Sequence, residues 1–159
     1  MQVSDERQPV TNDDITDVVV EFDSGAAGIL SISRVAQGHP NDLGFEVFGT
    51  QGAASFDLSR NSEFRFVDNI PDPATNGWRR VVVGQHHPYV SEALSMPFTG
   101  VGHGGQEFFT FQARAFLDQI AGLDRLPAPA TFVDGLRNLR VEHAVVEAAR
   151  SGESVEVAS

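Results

Sequence analysis

Several polar ring side chains stand close together in a stretch with no clear helical or strand pattern. His86, His87 and Tyr89 lie at the start of this irregular segment of residues 85–105, and His103 lies near its end. Imidazole and phenol groups both donate and accept hydrogen bonds, which suits the hydroxyl groups of a sugar. We therefore predict that these four residues are substrate-proximal and line a pocket for a sugar-like ligand.

A metal site is the alternative interpretation of the same residues. Glu107 follows the segment closely, and histidines together with a carboxylate can ligate a metal ion. The spacing matches no recognised ligand pattern, however, and adjacent histidines such as His86 and His87 usually point in different directions. We assign no metal ligand and no catalytic residue, and a histidine-dependent metal enzyme stays open as an alternative.

The segment also contains a glycine motif of the kind found in dinucleotide-binding proteins. Residues 100–105 (GVGHGG) satisfy G-x-G-x-x-G and lead into a predicted helix. A dinucleotide site needs a strand directly before the motif and a second strand after the helix. Neither residues 95–99 (SMPFT) nor residues 123–127 (LDRLP) resemble a strand. We therefore predict no cofactor-binding residue here; the loop either presents N–H groups to an anion or is simply flexible.

The elements that must position this segment are predicted first from a period of two. Val18, Val20 and Phe22 alternate with their neighbours, which indicates a strand whose two faces differ. Further strands are predicted at 29–32, 45–48, 55–58, 63–67 and 78–84, with a short last strand at 154–157. Most of the connections are too short for a parallel crossover, so the sheet is expected to be antiparallel.

Two helices follow the irregular segment. The first is predicted over residues 106–121, with one apolar stripe formed by Phe109, Ala113, Phe116 and Ile120. The second begins at Thr131 as N-cap, with the Asp134 carboxylate three positions later at the positive end of the helix dipole. Its predicted buried stripe consists of Phe132, Leu136, Leu139, His143 and Val146, and it ends at residues 151–152.

Together these elements predict an α+β fold with two layers. The sheet is expected to be open and mostly antiparallel, with about six or more strands and two helices on one face. Residues 1–16 are interpreted as an extended lead-in, and residues 17–159 as a single domain.

The face of the sheet away from the helices is not purely polar. Val19, Ile29 and Phe48 are out of phase with the apolar residues of the other face. Apolar residues on both faces indicate that a second copy of the chain covers the open face, so we expect a homo-oligomer. A few apolar residues on a solvated face are also ordinary, and that alternative stays open.

Composition excludes several classes of function. The formal charge of −11 and the absence of lysine argue against a nucleic-acid partner and against Schiff-base chemistry. The absence of cysteine excludes disulfides and thiolate chemistry. The sequence has no run of about 18 apolar residues, so no membrane span is predicted. The N-terminus has no apolar segment behind a basic one, so no secretory signal is predicted. A cytoplasmic location is the resulting expectation.

The order of these features resembles one known family, the glucose–fructose oxidoreductase / inositol dehydrogenase family (Gfo/Idh/MocA), in its C-terminal domain. The resemblance covers nearly the whole chain. The matching residues are Asp13-Asp14, residues 22–25 (FDSG), residues 32–34 (ISR), residues 45–52 (FEVFGTQG), residues 87–89 (HPY), Phe109, Gln112, Phe116, Ile120, Phe132, residues 134–137 (DGLR) and Ser151-Gly152.

The resemblance implies an NAD(P)-dependent oxidoreductase acting on sugars, inositols or other polyols. In this family an N-terminal Rossmann domain binds NAD or NADP, and the C-terminal domain contacts the substrate and forms the oligomer. The family's catalytic lysine has no counterpart in a chain without lysine, nor does its Asp and His pair. The chain is therefore expected to be a substrate-binding and oligomerisation domain, inactive alone, with a free-standing accessory or dimerisation module as the alternative.

Overall fold

The computed structural model describes residue 9 and residues 11–69 and 72–158 of the chain. Over these residues the chain forms six strands, one 3₁₀ turn and three α-helices. The strands are β1 (Ile15–Glu21), β2 (Ala27–Ser33), β3 (Gly44–Gly49), β4 (Gly52–Asp57), β5 (Glu63–Asp68) and β6 (Arg79–Val82). The helices are α1 (Pro88–Ala93), α2 (Gly105–Ile120) and α3 (Phe132–Ser151), and the 3₁₀ turn is Leu58–Arg60.

The chain divides into two compact units. One consists of the described residues of Met1–Pro40 and Leu139–Ser159, and the other is Asn41–Asn138. The first unit contains the antiparallel hairpin β1–β2, in which Val19 is paired with Ile29. Its turn closes because the Phe22 N–H donates to the Ala26 carbonyl at 2.8 Å and Gly25 adopts a φ of 81°, a value that glycine reaches without strain.

The second unit is built on a four-stranded antiparallel meander in the order β3-β4-β5-β6. Side chains alternate across it, so its two faces have different chemistry. One face is apolar and includes two contacting aromatic pairs, Phe45 with Phe56 and Phe64 with Phe66, whose ring centroids lie 5.8 and 6.2 Å apart. An apolar groove of 410 Å³ is lined by Phe45, Ala54, Ser55, Phe56 and Phe64.

The other face carries ionic contacts. Glu63 pairs with Arg60 at 2.5 Å and with Arg80 of the neighbouring strand. Hydrogen bonding from the Arg80 guanidinium holds the pKa of the Glu63 carboxyl below its usual range. Next to this pair, the Arg65 guanidinium lies 5.6 Å from the ring centroid of Trp78. Contacts of charged side chains, rather than apolar packing, therefore connect the strands on this face near the edge of the sheet.

The predicted start of α3 is confirmed by its capping contacts. The Asp134 N–H donates to Thr131 Oγ1 at 3.3 Å, and the Asp134 carboxylate accepts from the Thr131 N–H at 2.8 Å. These reciprocal bonds satisfy donors that have no partner inside the helix. They also hold the pKa of the Asp134 carboxyl below its usual range.

The α+β class and the antiparallel strands are confirmed, whereas several details differ from the prediction. The six strands form two hydrogen-bonded sheets, of two and four strands, rather than one. Strand β1 begins at Ile15, inside the predicted lead-in, and the short helix α1 interrupts the segment predicted to be irregular. Residues 154–157 form no strand, because no neighbouring strand pairs with them in the described part of the chain.

The prediction of a buried stripe on the second helix was wrong, and the apolar stripe predicted on the first helix is also exposed. On α2, Phe109 and Ile120 are 74% and 68% exposed, while the buried residues are Phe111, Ala115 and Asp118. On α3, Phe132 is fully exposed and His143 is also exposed, so His143 is not a core histidine. The residues of both stripes are at the predicted spacing, but they are exposed among the described residues.

Candidate functional site

The first part of the candidate site is the turn that joins β6 to α1. The His87 N–H donates to the Gly84 carbonyl at 2.9 Å, and the Gly84 N–H donates to His87 Nδ1 at 3.1 Å. Gly84 is buried, and a Cβ at this position would lie 2.7 Å from Thr99 Cα. A larger residue at position 84 would therefore push this turn away from Thr99. The His87 and Phe64 rings are nearly perpendicular, with centroids 6.3 Å apart.

Helix α1 starts directly after His87, with Pro88 in its first turn, a position that needs no N–H donor. It carries Tyr89, whose hydroxyl donates to the Pro127 carbonyl at 3.3 Å. The Tyr89 ring packs against Phe111 of α2, with centroids 5.7 Å apart. The tyrosine is thus held at both its ring and its hydroxyl group.

His103 reaches the same phenylalanine from the other end of the segment. Its ring contacts Phe108 and Phe111 edge-on, at centroid distances of 5.7 and 5.6 Å. The His103 N–H donates to Ser62 Oγ at 3.0 Å, and His103 Nδ1 lies 3.4 Å from the same hydroxyl. Ser62 therefore joins this loop to the start of β5.

Phe111 is consequently the centre of the candidate site. Tyr89 and His103, separated by 14 positions in the sequence, contact the same buried ring. His87 is half-buried against Phe64, which also lines the apolar groove of the sheet. His86 is exposed, with its Nε2 3.5 Å from the Gln85 side-chain nitrogen, and it does not share these contacts.

Sequence reasoning did not identify Phe111 or Ser62 as part of the site. Phe111 lies two positions from Phe109, on the opposite side of α2 from the stripe that the apolar spacing predicted. Alignment of Phe108, Phe111 and Ala115 at helical spacing was the available signal. Nothing in the local sequence distinguishes Ser62 from other turn serines, because its partner is 41 residues away.

The geometry does not favour a metal site among these residues. The Glu107 carboxylate accepts a hydrogen bond from the Gly104 N–H at 2.7 Å and so caps the start of α2. In the described part of the chain, no group of three or more His, Asp and Glu side chains has the arrangement needed to hold a metal ion.

The residues also do not fit a dinucleotide cofactor. The motif at 100–105 follows a bend and a loop, and the last strand before it, β6, ends at Val82. All strand pairs among the described residues are antiparallel, whereas a dinucleotide-binding fold needs parallel strands joined by a helix. No described helix is long and apolar enough to cross a membrane.

Comparison with known proteins finds a family model and a dehydrogenase that are similar to this chain. The model of the GFO/IDH/MocA C-terminal domain matches residues 1–55. The chain is 30% identical over 149 residues to levoglucosan dehydrogenase from Pseudarthrobacter phenanthrenivorans, covering 94% of this chain and 37% of that protein.

Solved structures show the same relationship in three dimensions. The oxidoreductase domain protein from Kribbella flavida has a TM-score of 0.86 and 33% identity, over 99% of this chain and 40% of its own. Levoglucosan dehydrogenase in complex with NADH and levoglucosan has a TM-score of 0.85 and 30% identity, over 96% of this chain and 40% of its own. The chain thus spans about two fifths of the length of the proteins that it resembles.

Proposed function

We propose that this chain, which matches the GFO/IDH/MocA C-terminal domain over residues 1–55 and shares its fold with a solved oxidoreductase domain protein, supplies the substrate side and the oligomer contact of a sugar or polyol dehydrogenase. In this proposal a separate domain binds NAD or NADP, and the domain described here is inactive alone. Hydride transfer needs a cofactor held against the substrate, and the antiparallel fold of the described residues does not suit one.

One observation carries the substrate part of the proposal. The match to levoglucosan dehydrogenase in complex with NADH and levoglucosan extends over 96% of this chain. Those two side chains and His87 offer donors and acceptors beside aromatic rings, a combination that suits hydroxyl groups on an apolar sugar face. A sugar or a closely related polyol is therefore the proposed substrate class.

The substrate part can be tested by titrating levoglucosan, and then L-sorbose, into the isolated chain. We expect millimolar binding that shifts the imidazole proton resonances of His87 and His103, and weaker binding in Tyr89→Phe and His87→Ala. His143→Ala is the matched control, because His143 is exposed on α3 and outside the candidate site. Equal shifts in the control and the site variants would contradict the assignment.

The cofactor part is tested by adding NADH and then NADPH. Trp78 is the single tryptophan, so energy transfer from it to the nicotinamide reports binding at one place. We expect no saturable binding up to millimolar cofactor. Micromolar binding would show that the loop at 100–105 holds a dinucleotide after all and would overturn the proposal of a separate cofactor domain.

The oligomer part is supported by exposed apolar side chains on the strands. Val19 and Ile29, directly paired in β1–β2, are 81% and 77% exposed, and Phe48 of β3 is 71% exposed. Single exposed apolar residues are ordinary, whereas contiguous exposed apolar residues favour an interface. A cytoplasmic location stays a prediction.

Analytical ultracentrifugation of a Val19→Ser, Ile29→Ser double variant tests this contact. We expect the variant to dissociate at concentrations at which the original chain is an oligomer, without loss of folded structure. The control is Phe109→Ser, which removes an equally exposed side chain from α2 rather than from a strand. A mass that is unchanged in the strand variant, or changed only in the control, would place the contact elsewhere.

A further inference from the structure

An ion pair on α2, between the half-buried Arg114 and the buried Asp118, reaches across to the end of α1. The Arg114 Nε donates to Asp118 Oδ1 at 2.9 Å, one helical turn further along α2. The same guanidinium donates through Nη1 to the backbone carbonyl of Glu92 at 3.2 Å. The Arg114 side chain thus joins a carboxylate on one helix to a main-chain acceptor near the end of another.

Helix α1 needs such a contact, because it has only six residues. A helix this short is not stable by its own hydrogen bonds, since nucleation is costly and few bonds follow it. At its start it is held by His87 and Gly84 and by the Tyr89 contacts, and its third residue, Val90, is buried. Arg114 provides a further attachment at the other end, where backbone carbonyls have no partner within the helix.

The burial of Asp118 indicates that this pair fixes geometry rather than adding much stability. Its side chain is 8% exposed, and Oδ2 has no hydrogen-bond partner among the described residues. Removing a carboxylate from water costs free energy that a single ion pair barely offsets. The two hydrogen bonds hold the Arg114 side chain in one orientation, because Nε is bound to Asp118 while Nη1 is bound to the Glu92 carbonyl.

We propose that Arg114 and Asp118 are positioning residues for the candidate substrate site. They hold α1 in place and, through it, the Tyr89 ring against Phe111 and the His87 turn beside the sheet. The proposal deepens the proposed function and rests on it for the statement that this site takes a sugar. The clamp itself can be tested without any ligand.

The test compares the original chain with the double variant Arg114→Met, Asp118→Leu. Changing both residues removes the clamp without leaving an unpaired buried charge. We expect the amides of Ser91 in α1 and of Leu94, the residue that follows α1, to exchange about tenfold faster, because local opening becomes easier, while amides of the β3–β6 sheet keep their rates. The Tyr89 ring signals, from the single tyrosine, should move toward those of an exposed tyrosine as the Phe111 contact weakens.

Arg137→Met is the matched control. It also breaks an arginine–aspartate pair on a helix, at 3.3 Å from Asp134, and its side chain is 70% exposed. Unchanged α1 exchange and an unchanged Tyr89 signal in a folded double variant would overturn the proposal. Should that variant fail to fold, Arg114→Lys decides, since it keeps the charge beside Asp118 but loses the planar fork that reaches Glu92; full α1 protection in this variant would also overturn the clamp.

A levoglucosan titration separates the clamp from the proposed function. Weaker binding in the double variant, with Arg137→Met unchanged, supports both. If the original chain does not bind levoglucosan while α1 exchange still rises in the double variant, the clamp stands and the proposed substrate class fails. If binding is the same in the original chain and in the double variant despite a loosened α1, the pair does not position the site and the proposal is wrong.

Discussion

Helix α2 has two apolar faces, and only one of them is covered. Phe111 is 8% exposed and contacts the rings of Tyr89, His103 and Phe108. On the opposite side, Phe109 is 74% and Ile120 68% exposed, although their spacing is equally regular. The comparison teaches that an apolar stripe identifies a surface that can pack, whereas the partner that covers it is decided by the rest of the fold.

The largest expected difference separates two phenylalanines on these two faces. Phe111→Ala should lower the free energy of unfolding by about 3–5 kcal/mol, because it leaves a cavity beneath Tyr89 and His103. Phe109→Ala, the matched control, should change it by no more than about 0.5 kcal/mol, since the side chain is mostly solvated. Urea unfolding measures both; equal losses would show that the covered and bare faces are not distinct.

The second prediction concerns Gly84, in the turn between β6 and α1. Gly84→Ala places a Cβ within 2.7 Å of Thr99 Cα, so the turn before α1 must shift. We expect a loss of about 1–3 kcal/mol in the free energy of unfolding, as for other overpacked positions. The His87 imidazole signals should move as well, because the Gly84 N–H donates to Nδ1.

Gly77→Ala is the control for that change, since a Cβ at Gly77 meets open space. It should leave both the stability and the His87 signals nearly unaltered. If the free energy of unfolding of Gly84→Ala equals that of the original chain, this turn can move to make room for the added Cβ. The second unit is then less tightly packed around the turn than its contacts indicate.

Helix α3 extends the comparison, because its predicted stripe is exposed and its start depends on a cap. Thr131→Ala should cost about 1 kcal/mol of stability, since it removes the acceptor of the Asp134 N–H. Thr131→Ser, which keeps the hydroxyl, should cost much less. Thermal or urea unfolding decides, and an equal loss in both variants would assign the effect to the lost methyl group rather than to the cap.

The smallest expected effect is a pH dependence of the same cap. Hydrogen bonds from Thr131 lower the folded-state pKa of Asp134 below its ordinary value of 3.8. The carboxylate therefore contributes stability that is complete above the unfolded-state pKa and is lost as the pH falls through the folded-state pKa. Unfolding measured downward from neutral pH should show a smaller loss in Asp134→Asn than in the original chain, because Glu63, whose pKa is also lowered, contributes equally in both. The exposed Asp124→Asn is the control, and an equal loss in Asp134→Asn and the original chain would assign the pH dependence to the other carboxylates.

Much of the fold could be predicted because it depends on neighbouring residues. The alternation around Val18 and Val20 predicted β1, and Thr131 with Asp134 predicted the start of α3 to the residue. The candidate site was predicted only as a segment. Tyr89 and His103 do meet at one ring, but Phe111 was assigned to no face, and His86 is exposed away from the shared contacts.

The sequence by itself determined the periods, turns and caps, because each of these depends on residues within a few positions along the chain. Only the tertiary structure decided which apolar faces are covered and which polar groups meet. The Ser62–His103 bond joins residues 41 positions apart, and the Tyr89–Pro127 bond joins residues 38 positions apart. Such contacts depend on how the whole unit folds, and a local sequence pattern does not identify a partner that is so far away along the chain.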